Sequence, residues 1–136
     1  MASSRKVGDA LTGFSRLVTQ DRVNAYAEAS GDHNPIHLDE SYASGTQFGT
    51  RIAHGMLSLA LVAEMLAIEF PDTWHDGGNM KVRFTAPVFP GETVETYGEI
   101  TSIDDSNGRP VATCKIGCKK TDGTDAVTGR ATVPLE

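Results

Sequence analysis

The most continuous apolar stretch of the chain runs from Met56 to Phe70, and only Ser58, Glu64 and Glu69 interrupt it. It is shorter than the roughly 20 apolar residues that a bilayer span requires, so the pattern predicts a buried helix, apolar almost all round and wrapped on several sides. Past Pro71 the period changes to two. Met80, Val82, Phe84 and Ala86 alternate with Lys81, Arg83 and Thr85, which predicts a half-buried strand ending at Pro87. Three more strands are predicted over Thr93 to Ile103, Val111 to Lys120 and Ala126 to Val133, with turn signals at Asp104 to Gly108 and at Asp122-Gly123.

On the N-terminal side, strand character around Gly13 to Val18 leads into a helix over Thr19 to Ala29, with Val23, Tyr26 and Ala27 at helical spacing and Thr19 as N-cap. Ser30 and Gly31 stop that helix. Between it and the apolar helix lies a long polar segment, Asp32 to Gly55, with at most one short helical turn near Asp39 to Ala43. Loops of this length inside a compact domain are usually functional. No repeat or linker divides the 136 residues, so the expected architecture is a single α+β domain over 1–136, its antiparallel sheet curled around the central helix. Strands from two copies could pair into one larger sheet and cover an exposed edge.

Composition narrows the function classes. With 12 Lys and Arg against 18 Asp and Glu, a net charge of −6 offers no general attraction to nucleic acid or anionic lipid. The opening MASSRKVGDALTGF carries Arg5 and Lys6 without an apolar stretch behind them, which predicts a cytoplasmic protein without a secretory leader or membrane insertion. Cys114 and Cys118 share one face of a single predicted strand, a poor placement for a disulfide, and are expected to be free structural thiols.

Three of the four histidines, His33, His37 and His54, flank the long polar segment, and only His75 lies elsewhere. Pro35 opposes a helical His33/His37 pair and no ligand set of the usual spacing accompanies them, so no metal site is expected. Acid/base chemistry fits better: Asp32 and His37 straddle Asn34-Pro35, a turn-favouring pair that can fold the two side chains toward one water. On spacing alone, Asp32 as a turn residue and His37 as a satisfied loop residue stay open. No Ser sits in a G-x-S-x-G elbow and neither Cys has a His nearby in sequence, which argues against a covalent mechanism. No glycine-rich phosphate loop joins a strand to a helix, so no nucleotide cofactor is expected. His54-Gly55 opens the apolar helix, whose first N–H groups lack internal partners and can receive an anionic oxygen; Gly55 serves either close ligand approach or simple packing. An acid/base pair beside such a helix start suits a reaction that passes through an enolate.

SGDHNPIHLD at Ser30 to Asp39, followed by RIAHGM at Arg51 to Met56, resembles the hydratase motif of the MaoC-like, R-specific enoyl-CoA hydratases. KVRFTAPVFPGET at Lys81 to Thr93 is similar to the strand and turn that follow in that family, so the resemblance extends over nearly the whole chain. It implies a hot dog fold with an overhanging active-site segment, working as a homodimer or a higher oligomer. It also implies an acyl-CoA substrate, with no metal or organic cofactor. Asp32 and His37 correspond to the catalytic pair that activates a water for syn addition to a trans-2-enoyl thioester, giving an R-3-hydroxyacyl-CoA. By the same resemblance Asn34 holds the loop and orients the water, Gly55 and Met56 belong to the substrate-binding helix start, and Phe84 lines the acyl pocket. Lys81 and Arg83 either meet CoA phosphates or form a solvated strand face. The segments Asp39 to Thr50 and Phe70 to Asn79 are expected to shape the acyl tunnel.

The chain departs from some relatives in one place. They carry a serine well along the central helix, near the catalytic carboxylate, where this sequence reads Leu61-Val62-Ala63-Glu64, so a supporting hydroxyl is expected to be missing there. Two other functions fit the same fold: acyl-CoA thioester hydrolysis, and a non-catalytic subunit of a dehydratase complex that binds acyl-CoA or an acyl-carrier protein.

Overall fold

The computed structural model describes residues 4–135. In chain order the elements are β1 (Ser15–Leu17), α1 (Gln20–Ser30), α2 (Pro35–Leu38), α3 (Glu40–Ala43), α4 (Gly55–Glu69), α5 (Trp74–Gly77), β2 (Asn79–Phe84), β3 (Thr93–Asp104), β4 (Val111–Lys120) and β5 (Asp125–Pro134). The strands form one antiparallel sheet in the order β1-β3-β4-β5-β2. The sheet packs around α4, giving the α+β hot dog arrangement that the apolar run and the strand periodicity together imply.

The central strand β4 buries Ala112, Cys114, Ile116 and Cys118, and these face Val62, Met65 and Leu66 of α4 in one continuous core. Both cysteines are free, and burial pushes each thiol up to about 11. The two acids that interrupt the apolar run of α4 are each paired with an arginine from the N-terminal segment. Arg16 donates to both carboxylate oxygens of Glu64, at 2.7 and 3.1 Å. Arg5 donates to Glu69 Oε2 at 2.8 Å, and the Thr12 N–H to its Oε1 at 2.7 Å. Burial pushes the Glu69 carboxyl up, but these hydrogen bonds outweigh it and the net direction is down. The middle and the C-terminal end of α4 are thereby tied to the chain that wraps it.

The caps of α1 match expectation: Thr19 Oγ1 accepts from the Arg22 N–H at 3.1 Å, and Gly31 closes the helix at φ 80°, a left-handed conformation that favours glycine. Other boundaries differ. The polar segment holds two helical turns instead of at most one, because Asn34 caps a turn that begins at Pro35, with the Ile36 N–H donating to Asn34 Oδ1 at 3.1 Å. Phe84 is 52% exposed where alternation placed it on the half-buried face, because β2 is the edge strand of the sheet. α4 is likewise not covered on every side: Met56 and Ile68 stay exposed. The short α5 was not expected. Among the described residues no helix is long and apolar enough to cross a membrane.

Leu61, 5% exposed, packs in the core beside Val62 and Met65. Leu61→Ala is expected to lower the unfolding free energy by about 2–5 kcal/mol in chemical denaturation. A loss below about 0.5 kcal/mol would show that α4 is not packed as described.

Candidate active site

Local hydrogen bonds shape the segment that leaves α1. The Asp32 N–H donates to Ser30 Oγ (3.2 Å), the Asn34 N–H to Asp32 Oδ1 (3.2 Å) and the His37 N–H to the Asn34 carbonyl (3.0 Å). These turns reverse the chain within a few residues and bring His37 back toward Asp32. Longer contacts then fix the segment to the body of the protein. Gln20 Nε2 donates to the His37 carbonyl at 2.9 Å, the Ile52 N–H to the Ile36 carbonyl at 3.2 Å and the Ala53 N–H to the Val88 carbonyl at 2.8 Å.

The outcome is a compact cluster. One ligand-type atom from each of Asp32, His37 and His54 lies within 4.8 Å of the others. The His37 and His54 rings are stacked, with centroids 3.8 Å apart and planes 28° from parallel, and Tyr26 packs on His54 at 4.8 Å. His37 is 9% exposed and His54 2% exposed, whereas Asp32 lies at the solvent side.

Hydrogen bonds assign the tautomers. His37 Nδ1 sits 2.8 Å from the Ile52 carbonyl, which can only accept, so Nδ1 carries the proton and the neutral ring presents its lone pair at Nε2. His54 Nε2 lies 3.0 Å from the Asp32 carbonyl and donates to it. His54 Nδ1 is buried and has no hydrogen-bond partner among the described residues. Burial is the main cause that pushes the His54 imidazole below its ordinary range, partly opposed by the hydrogen bond to the Asp32 carbonyl and by the Asp32 carboxylate.

Gly55 follows His54 directly and is the first residue of α4, a helix whose N-terminus has no side-chain cap. A Cβ on Gly55 would lie 3.2 Å from two ring carbons of Phe84, so glycine allows that ring to rest against the helix start. Beside it opens a cleft of about 290 Å3, lined by Phe48, Ile52, Gly55, Ser58, Phe84 and Pro87 among others. A second cavity, of about 340 Å3, lies between α1 and α4, with Tyr26, Leu57 and Leu61 in its walls and the Arg16–Glu64 pair at its margin.

Comparison with known proteins agrees with this picture. The family model for the MaoC like domain matches residues 5–120. This chain belongs to the MaoC-like family. It is similar to the (R)-specific enoyl-CoA hydratase of Aeromonas caviae, 35% identical over 134 residues that cover 98% of each chain. It is also similar to the 3-hydroxybutyryl-CoA dehydratase of Methylorubrum extorquens, 35% identical over 106 residues, 76% of this chain and 68% of that protein. The solved structure of the (R)-hydratase from A. caviae superposes with a TM-score of 0.86 at 33% identity, covering 99% of this chain and 100% of that one.

In this MaoC-like chain the residues singled out from sequence are therefore distributed as follows. Asp32 and His37 are brought together; Asn34 caps the turn between them; Gly55 and Phe84 meet at the cleft. Met56, 54% exposed, lines neither the cleft nor the second cavity. α4 carries Ala63 where some relatives have a serine; Ser58, nearer the helix start, is buried and lines the cleft. His54 was not among the expected site residues. Its signal was the concentration of histidines around the polar segment, but stacking on His37 is a tertiary contact that spacing does not reveal.

Because the folded state resists protonating His54, the unfolded chain binds the extra proton as pH falls below the ordinary imidazole value. The contribution is present above about pH 6.5 and is lost toward lower pH. Unfolding free energy, measured by urea titration from pH 7 to pH 5, is expected to decline by at most about 1.4 kcal/mol per pH unit from this group. The decline should be shallower in His54→Gln; an unchanged slope in that variant would contradict a buried neutral imidazole.

Proposed function

We propose that this protein reversibly adds water across the double bond of a trans-2-enoyl-CoA, forming an (R)-3-hydroxyacyl-CoA. The observation that carries this reading is the convergence of the Asp32 carboxylate and the His37 imidazole beside the uncapped start of α4. The named activities of the relatives, an (R)-specific enoyl-CoA hydratase and a 3-hydroxybutyryl-CoA dehydratase, support the same chemistry.

The roles follow from the geometry. The thioester carbonyl sits at the Gly55 N–H, where the helix dipole and an unpartnered donor favour negative charge on its oxygen. His37, held by Ile52 with its Nε2 lone pair free, works with Asp32 to take a proton from a single water. The water oxygen bonds to C3, the double-bond electrons move onto the thioester oxygen as an enolate, and C2 then takes a proton from the same pair on the same side. That order gives syn addition and returns both groups to their starting protonation. Asn34 preserves the turn that makes the two groups converge. Phe84 lies against Gly55 and walls the cleft that receives the acyl thioester. The reading requires neither a metal nor an organic cofactor. The proposed assembly is a homodimer, with the edge strand β2 available for pairing with a second copy.

The test follows the loss of enoyl-thioester absorbance with crotonyl-CoA, with chiral analysis of the product. Wild-type protein is expected to give the R product, and Asp32→Asn and His37→Ala each to lower kcat by at least about 10²-fold. Asp32→Asn should keep wild-type stability, since its side chain lies at the solvent side, whereas His37→Ala removes a buried, stacked ring, so its kcat is referred to the folded fraction measured by circular dichroism. Near-wild-type turnover in either variant would remove that residue from the mechanism. Release of free CoA thiol without hydrated product would indicate a thioesterase.

A further inference from the structure

We propose that His54 is a positioning residue of this site: its Nε2–H holds the Asp32 carbonyl and its ring face holds the His37 imidazole, so that one side chain sets both proton-handling groups against the start of α4. The inference rests on the hydration reading above and extends it to a residue that takes no proton from substrate.

Three observations carry it. First, His54 touches both partners: it donates to the Asp32 carbonyl at 3.0 Å and stacks on His37 at 3.8 Å. Second, His54 begins the helix. Its carbonyl accepts from the Leu57 N–H at 3.0 Å, and Gly55 is its neighbour in the chain. The acid/base pair is therefore linked to the Gly55 N–H across a single residue, a shorter path than the one through the Ile36–Ile52 and His37–Ile52 hydrogen bonds. Third, packing alone does not explain an imidazole here. His54 is 2% exposed and its Nδ1 is a buried acceptor without a partner. A hydrocarbon ring would fill the same space without burying an unpaired Nδ1, so apolar packing is not what the imidazole serves; what it adds is the Nε2–H that holds the Asp32 carbonyl.

The third observation also shapes the test, because it separates position from stability. His54→Phe keeps an aromatic ring of similar size against His37 and Tyr26 but cannot donate to Asp32. His54→Gln keeps a donor near the Nε2 position but loses the stacked ring. With crotonyl-CoA, His54→Phe is expected to lower kcat roughly 10²-fold, the scale of a misplaced reacting group, with little change in KM and with a melting midpoint close to wild type, since the lost Asp32 hydrogen bond and the removed unpaired Nδ1 offset each other. His54→Gln should recover part of that kcat. A second readout does not require turnover: imidazole 15N resonances are expected to show His37 as the single Nδ1–H tautomer in wild type and in His54→Phe, whose ring still stacks on it, and as a mixture in His54→Gln, which loses the ring.

Wild-type kcat in folded His54→Phe, or a fall in kcat fully accounted for by loss of folded protein in both variants, overturns the proposal. So does a single His37 tautomer in His54→Gln, where the stacked ring is lost. If wild-type protein hydrates no enoyl-CoA yet His37 loses its single tautomer in His54→Gln, the positioning role stands and the hydration reading alone fails.

Discussion

The burial of α4 against the curled sheet is the constraint on which the other features depend. Val62, Met65 and Leu66 are fully enclosed, and the acids within the helix are neutralised by Arg16 and Arg5 from the wrapping segment. A helix held this way cannot slide or rotate, so its N-terminal N–H groups occupy a fixed place. Gly55 then presents backbone where any other residue would press on Phe84. An electrostatic feature common to all helices becomes a located binding feature because the apolar core fixes it.

The polar segment is organised on a shorter length scale. Hydrogen bonds through Ser30, Asp32 and Asn34 bend the chain with little help from the core, and Pro35 starts a turn for which its fixed φ is suited. Only where the segment touches the body, at Gln20, Ile52 and Val88, does it acquire a set orientation. The proposed acid/base pair thus owes its convergence to local turns and its orientation to tertiary contacts, with His54 standing where the two meet.

Much of this was legible in the residues. The apolar run located α4, period-two alternation located β2, and Thr19 with Gly31 bracketed α1 to within a residue. Asp32, Asn34, His37 and Gly55 were readable as a set because they lie close in sequence or in a quotable motif. What was not legible depends on distant neighbours. Phe84 follows the alternation of a buried face yet is half exposed, because the pattern does not say that β2 is the edge strand. The α2 turn was encoded by an N-cap Asn before Pro, a signal outweighed by the polar character of the segment. His54 looked like a residue before a helix, and its stacking on His37 arises only when loop and helix start are folded together.

The central claim is that a thioester carbonyl sits at the Gly55 N–H with its reactive double bond facing Asp32 and His37. A crystal structure of Asp32→Asn with crotonyl-CoA bound tests it most directly. The account predicts the thioester oxygen within hydrogen-bond distance of the Gly55 N–H, about 2.7–3.2 Å, and C3 on the side of residue 32 and His37. An acyl chain lodged between α1 and α4, with its carbonyl oxygen away from Gly55, would contradict the account.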